Sequence, residues 1–232
     1  MENLITTLTK YRGKTLLMVF PHPDDEAYVA GGLLQMAQRL SIKTKLICLT
    51  KGGFNKKTQE AELREACKIL GVDELSLWNF TELKLREERK VWLKRLASEI
   101  KTSDAQIVIS FDHSGITGHP DHIVVSAEVL ALIKKMQPKP LLYWRVPDMQ
   151  EYKYFKNNNA MLFAENATHT LSYGISESLK KISAIFAHKS RMKSFLYRLQ
   201  ILEWFLFDHK ELYYKVDLKR DYPYKFVFYK EA

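Results

Sequence analysis

Apolar runs alternate with helix-period segments along the first two thirds of the chain. Thr15 to Phe20 (TLLMVF) is almost wholly apolar, the pattern of a strand buried on both faces. Ala27 to Leu40 follows with small and apolar residues at helical spacing. Lys45 to Leu49 (KLICL) predicts a second buried strand. Thr58 to Leu70 predicts a helix closed by Gly71, because glycine takes the left-handed C-terminal cap without steric cost. A short strand at Leu75 to Trp78, a charged helix at Glu87 to Lys101, a strand at Gln106 to Ser110 (QIVIS) and a helix from Asp121 to Met136, ending before Pro138, complete the series. Strands alternating with helices of this length predict an α/β fold with right-handed crossovers. That is a Rossmann-like three-layer sandwich with a mostly parallel central sheet. No repeat, low-complexity segment or linker interrupts the pattern, so residues 1–232 read as one domain.

The last third is patterned less clearly. Pro140 to Val146 reads as a strand, Glu177 to Ala187 and Arg191 to Phe207 as helices, and Tyr224 to Tyr229 (YKFVFY) as a closing or edge strand. Aromatics crowd this region, among them Phe195, Tyr197, Trp204, Phe205, Phe207, Tyr213, Tyr214, Tyr222 and Tyr224. Packing of the final helices on the sheet accounts for them most simply. A substrate-facing wall and an interfacial membrane patch are the alternatives.

Composition narrows the class. With 232 residues, 46% hydrophobic and 27% charged, the chain buries a substantial core and is not a disordered polymer. No apolar run approaches the ~20 residues of a membrane span, and Met1 to Lys14 lacks the pattern of a secretory signal. Cys48 and Cys67 fall in an apolar strand and a helix, read as reduced core residues, and point to the cytoplasm. The formal charge of +9 points to anionic company, either a phosphorylated or carboxylated substrate or peripheral contact with an acidic membrane. Basic residues are spread rather than clustered with aromatics, so nucleic acid is not expected, and a solvated basic surface is the plainer account.

Two clusters carry chemistry. Pro21-His22-Pro23-Asp24-Asp25-Glu26 directly follows the first strand, where open α/β sheets form their ligand crevice. A solvated acidic turn capping the next helix accounts for Asp25 or Glu26, but not for His22 between prolines. A divalent metal accounts for all of them, since imidazole and carboxylate are ordinary zinc ligands. Phe111-Asp112-His113-Ser114-Gly115-Ile116-Thr117-Gly118-His119-Pro120-Asp121-His122 follows the QIVIS strand, so both clusters open on one rim. Pro120 suits the first position of the next helix, and His119 and His122, three apart, can share a helical face. Together the clusters offer a His/Asp/His set with one coordination position open, the catalytic rather than structural zinc pattern. Iron(II) fits the same donors.

His22-Pro23-Asp24-Asp25-Glu26 with Gly118-His119-Pro120-Asp121-His122 resembles the PIG-L/LmbE-like family of zinc-dependent N-acetylglucosaminyl deacetylases. The resemblance runs from Leu16 to about Leu130 and includes Thr50-Lys51-Gly52-Gly53 and Leu70-Gly71-Val72. It implies zinc ligation by His22, Asp25 and His122, and Asp24 as the general base. It implies His119 as the group stabilising the oxyanion or protonating the leaving amine, and Asp121 as the residue orienting a histidine. Substrate contacts are expected from Gln59, Arg64, Asp112 and His188.

Three departures from the family pattern stand out. Gln59 occupies the place of a usual substrate-contacting arginine, with Lys56, Lys57 and Arg64 nearby. Gly115-Ile116-Thr117-Gly118 is the small-residue version of its loop, without the tyrosine of mycothiol-pathway enzymes. Ala187-His188-Lys189-Ser190-Arg191 has arginine where glutamine is usual. The expected activity is removal of acetyl from an amino sugar. The alternatives are another N-acyl or thiol-conjugate amide hydrolysed at the same site, and a non-catalytic sugar- or metal-binding protein, against which the intact Asp24 argues. Homo-oligomers occur among similar proteins, and the sequence selects no oligomeric state.

Overall fold

A computed structural model describes residues 1–192, 194, 196, 198–199, 201–203 and 209–222. Its strands are β1 (Glu2–Asn3), β2 (Thr15–Phe20), β3 (Lys43–Thr50), β4 (Glu74–Phe80), β5 (Ala105–Phe111), β6 (Leu141–Arg145), β7 (His169–Ser172) and β8 (Lys210–Lys215). They form one eight-stranded sheet in the order β1-β7-β8-β6-β5-β2-β3-β4. All neighbours are parallel except β8, which runs antiparallel between β6 and β7. The helices are α1 (Leu4–Leu8), α2 (Asp25–Arg39), α3 (Lys56–Leu70), α4 (Arg89–Thr102), α5 (Pro120–Lys135), α6 (Met149–Phe155) and α7 (Ile175–Ala187).

Successive side chains of the central strands point to opposite faces, and each face has its own core. Leu16, Met18, Phe20, Leu46 and Cys48 pack under α2, α3 and α7. Leu17, Val19, Ile47 and Leu49 pack under α4 and α5. This is the three-layer α/β arrangement expected from the pattern. Cys48 and Cys67 are buried and free. Among the described residues no helix is long and apolar enough to cross a membrane.

The predicted segments from Thr15 through Val146 coincide with elements of the structure, with ends shifted by one to a few residues. Gly71 caps α3 at φ 75°, and Pro120 opens α5. The sequence pattern did not disclose β1, β7, β8 or α6. The predicted helix from Arg191 to Phe207 is described only in part, and Tyr224 to Tyr229 lies outside the described residues.

Topology positions the site. The chain leaves β2 for β3 and β4 on one side, then returns to β5 on the other. Such a reversal opens a crevice beyond the carboxyl ends of the two diverging strands. Both histidine-bearing motifs begin there, one after Phe20 and one after Phe111.

Candidate active site

Each motif is a strand-to-helix turn that brings polar groups to the first turn of a helix. After β2, Asp24 occupies the N-cap of α2 in a left-handed conformation, φ 101° and ψ −27°. A non-glycine residue there is strained, on the order of 1–3 kcal/mol. The strain is held by Glu26, whose Oε2 accepts the Asp24 backbone N–H at 3.0 Å. Asp25 and Glu26 then occupy the first turn of α2, where negative charge is favoured. After β5, the loop closes over α5 at Gly115, φ 60°, where a Cβ would lie 2.8 Å from that of His122. His119 caps α5, its Nδ1 accepting the Asp121 backbone N–H at 3.2 Å.

The two turns aim their donors at one point. His22 Nδ1 and His122 Nε2 stand 3.2 Å apart. The Asp25 carboxylate lies beside them, Oδ2 at 3.8 Å from His22 Nδ1 and Oδ1 at 3.3 Å from His122 Nε2. The far nitrogen of each ring is already committed. His22 Nε2 meets Asp121 Oδ2 at 3.0 Å, and His122 Nδ1 meets the Gly115 carbonyl at 2.9 Å. A carbonyl and a carboxylate only accept, so each neutral ring carries its proton on that far side. The near nitrogens therefore face each other as lone pairs beside an anion. That set repels itself unless a proton or a metal cation lies among it, and its spacing suits a metal, since ligands of a tetrahedral zinc sit about 3.3 Å apart. His22, His119 and His122 together form a group whose nitrogens lie within 4.8 Å of one another and could hold a metal ion.

The charges respond accordingly. Burial works against protonating His22, but the hydrogen bond to Asp121 and the charges of Asp25, Asp121 and Asp24 outweigh it and raise its pKa. Burial likewise opposes ionising Asp25, yet His122 and His22 hold its carboxyl below the ordinary range. Asp24 goes the other way. Burial pushes it up to about 6, against the pull of the Arg191 guanidinium. For His119, burial and then the neighbouring His22 and His122 lower the imidazole to about 4, so the ring is neutral near pH 7.

These groups open on a cavity of about 320 Å³, at the small end for ligand sites. His22, Asp24, Asp25, His119 and His122 line it, with Phe111, Ile116 and Tyr154 as apolar and aromatic wall and Arg191 as a cation. Asp121 lies behind His22, where it also accepts the Leu83 N–H at 2.7 Å.

The residues expected at the substrate are placed differently, and none of the four lines this cavity. Arg64 turns outward onto Glu60, one helical turn back, at 2.8 Å. Gln59 is buried and fills the space that Gly52 leaves by lacking a Cβ. His188 is buried against Glu26, Nε2 to Oε1 at 2.7 Å. Asp112 is fully buried, and its carboxylate accepts the Ser114 N–H and hydroxyl and the Glu165 N–H. It braces the second motif rather than facing a ligand. Asp112→Ala leaves those donors unpaired and is expected to cost about 2–4 kcal/mol of unfolding free energy. Urea denaturation checks this, and a loss below ~1 kcal/mol would contradict the bracing role.

Two residues quoted with the motifs make contacts at the site that the motif reading did not assign. Arg191 pairs with Asp24, Nε to Oδ2 at 3.3 Å. Glu26 holds both Asp24 and His188. The unusual arginine in the C-terminal histidine–serine segment was the available signal for the first.

The chain also resembles known proteins in sequence and in fold. The model of the PIG-L family, described as GlcNAc-PI de-N-acetylase, matches residues 17–133. The chain is 31% identical over 196 residues to "Probable N-acetyl-alpha-D-glucosaminyl L-malate deacetylase 2" of Bacillus anthracis, covering 76% of this chain and 80% of that one. It is 32% identical over 130 residues to "Probable N-acetylglucosaminyl-phosphatidylinositol de-N-acetylase" of Dictyostelium discoideum, covering 52% of this chain and 50% of that one. The fold is that of N,N'-diacetylchitobiose deacetylase from Pyrococcus horikoshii, with a TM-score of 0.66 at 17% identity over 90% of this chain and 87% of that chain.

Proposed function

The chain belongs to the PIG-L family, and from that premise we propose that it is a metal-dependent N-deacetylase acting on an N-acetylglucosamine-containing small molecule or glycoconjugate. The observation that carries the reading is the pair of facing lone pairs on His22 and His122, beside Asp25 and at the floor of a sugar-sized cavity. The two curated relatives described above differ in what the sugar carries, and both are named for an N-acetylglucosaminyl group.

His22, Asp25 and His122 would hold the ion, zinc or alternatively iron(II), which when bound supplies Lewis acidity and lowers the pKa of water toward ~7. Asp24 takes the proton from the attacking water. Its raised carboxyl makes it a stronger base than a surface aspartate while leaving it mostly ionised near neutral pH. His119 accepts the Asp121 N–H at Nδ1, so its Nε2 carries the hydrogen, which makes it a hydrogen-bond donor rather than a ligand. It donates to the amide oxygen as negative charge develops there. A ring lowered to about 4 is neutral, so the proton needed by the departing amine is the one Asp24 collected. Asp121 fixes the tautomer and direction of His22, the usual task of a carboxylate behind a metal-binding histidine.

Amine release from N-acetylglucosamine derivatives tests the reading. Turnover is expected to fall at least about tenfold on chelation, because metal-assisted hydrolysis depends on the ion, and to return with added zinc or iron(II). Chelator-insensitive turnover, or none on any N-acetyl sugar after metal loading, would sink it. Hydrolysis of another N-acyl amide with the same chelator sensitivity would move the substrate and leave the site.

A further inference from the structure

Arg191 is the one lysine or arginine among the described residues that line the cavity. Its shortest contact with Asp24 is through Nε, and 36% of its side chain is exposed. Among the described residues nothing accepts a hydrogen bond from its Nη1 or Nη2. Its backbone is firmly placed. The Arg191 N–H donates to the His188 carbonyl at 3.0 Å. Ser190 gives its N–H and hydroxyl to the Glu62 carboxylate at 2.8 and 2.5 Å, and Met192 is buried. A guanidinium held to one carboxylate by one edge, with its other edge uncommitted at a cavity wall, is preset to receive a second anion in a two-pronged grip.

We propose that Arg191 is a specificity-determining residue that binds an acidic substituent, carboxylate or phosphate, borne by the sugar next to its N-acyl group. The proposal rests on the deacetylase reading above. Distance sets where the acid sits. An anion on the outer edge of the guanidinium lies roughly 6 Å from the Asp24 carboxylate, and Asp24 serves the water that attacks the amide carbon. That reach suits an acid attached at a ring carbon adjoining the nitrogen-bearing one. Other parts of the wall disfavour it, because Glu82 and Glu151 line the cavity with carboxylates of their own. Glu151 is already paired with Arg145 at 2.8 Å.

Three N-acetylglucosamine derivatives make the test, namely the 1-phosphate, the 3-O-lactyl ether with its carboxylate, and the uncharged methyl glycoside. kcat/KM on each is compared for the unmodified protein, Arg191→Gln and Arg191→Lys. The unmodified protein is expected to favour at least one acid over the methyl glycoside by about 10- to 100-fold, the scale of hydrogen bonds to a charged group. Arg191→Gln brings that ratio toward one, and Arg191→Lys keeps part of it as a point charge. The ratio is internal to each variant, so a rate lost through a disturbed Asp24 does not imitate the effect. A preference for one acid alone supports the proposal and identifies the group. Equal kcat/KM on acidic and neutral derivatives, or a ratio that survives Arg191→Gln, overturns it. Calorimetric binding of the 1-phosphate to Asp24→Asn, with and without Arg191→Gln, separates the two readings. Arg191-dependent binding without turnover of any derivative by the unmodified protein overturns the deacetylase reading and leaves Arg191 standing. Turnover without an Arg191-dependent preference does the reverse.

Discussion

Under the proposed mechanism Asp24→Asn is expected to lower kcat by about 10²–10⁴-fold, the usual contribution of a general base, while the protein folds and keeps its capacity to bind zinc. The substitution is chosen for its backbone as much as its chemistry. Asp24 sits at φ 101°, a region that asparagine enters more readily than most residues. The amide keeps the size of the side chain while removing its capacity to take a proton, together with the charge that pairs with Arg191. An alanine there would confound loss of the base with loss of the turn. Metal stoichiometry and affinity, measured on the same preparation, should match the unmodified protein, because His22, His122 and Asp25 carry the facing donor atoms. Asp25→Asn is the contrasting control, expected to lose metal and rate together. A fall of less than about tenfold in kcat for metal-loaded Asp24→Asn would remove Asp24 from the role of base, since that is below the general-base range.

Much of this was legible in the chain, and the reasons the rest was not are physical. Strands buried on both faces announce themselves as unbroken apolar runs, which is why β2, β3 and β5 were read directly. The strand β8 hid because its sequence, KELYYK, places Glu211 in a fully buried position. That charge is tolerable through partners that lie mostly far along the chain. Glu211 accepts the Gly32 and Leu33 N–H groups, the Lys181 ammonium and the Tyr213 hydroxyl. Apart from Tyr213, two residues on, none of those partners lies in the local pattern. The site divides in the same way. Ligand-type residues clustered in two strand-to-helix loops were visible, because topology brings the ends of β2 and β5 together. What surrounds them was not. Gln59 and Arg64 sit at the expected helix, but one packs inward and the other pairs along the surface. His188 was noticed as a site residue, and only the fold shows that it meets Glu26 across 162 positions.

That last contact has a measurable consequence, and Glu26→Ala is expected to reduce kcat by about 10²-fold at unchanged metal content, the scale of a catalytic group misplaced by ~1 Å. Glu26 is 1% exposed and joins two groups, His188 through Oε1 at 2.7 Å and the Asp24 N–H through Oε2 at 3.0 Å. His188 fixes the carboxylate, and the carboxylate holds the backbone of Asp24, the proposed base, in its left-handed turn. Without that anchor Asp24 loses one of the contacts that offset its strain, and under the proposed mechanism its carboxylate shifts from the position in which it serves the water. Glu26→Gln should recover part of the rate, because its amide oxygen still accepts the Asp24 N–H. Stability alone cannot decide the matter, since a buried histidine stripped of its partner also lowers the melting temperature. The decisive measurement is the double-mutant cycle. If Glu26 acts through Asp24, adding Glu26→Ala to Asp24→Asn costs less than about threefold further in kcat, because residues acting as one unit are not additive. Full additivity, or an undiminished kcat per metal-loaded Glu26→Ala molecule, would reduce the His188–Glu26 pair to a structural contact.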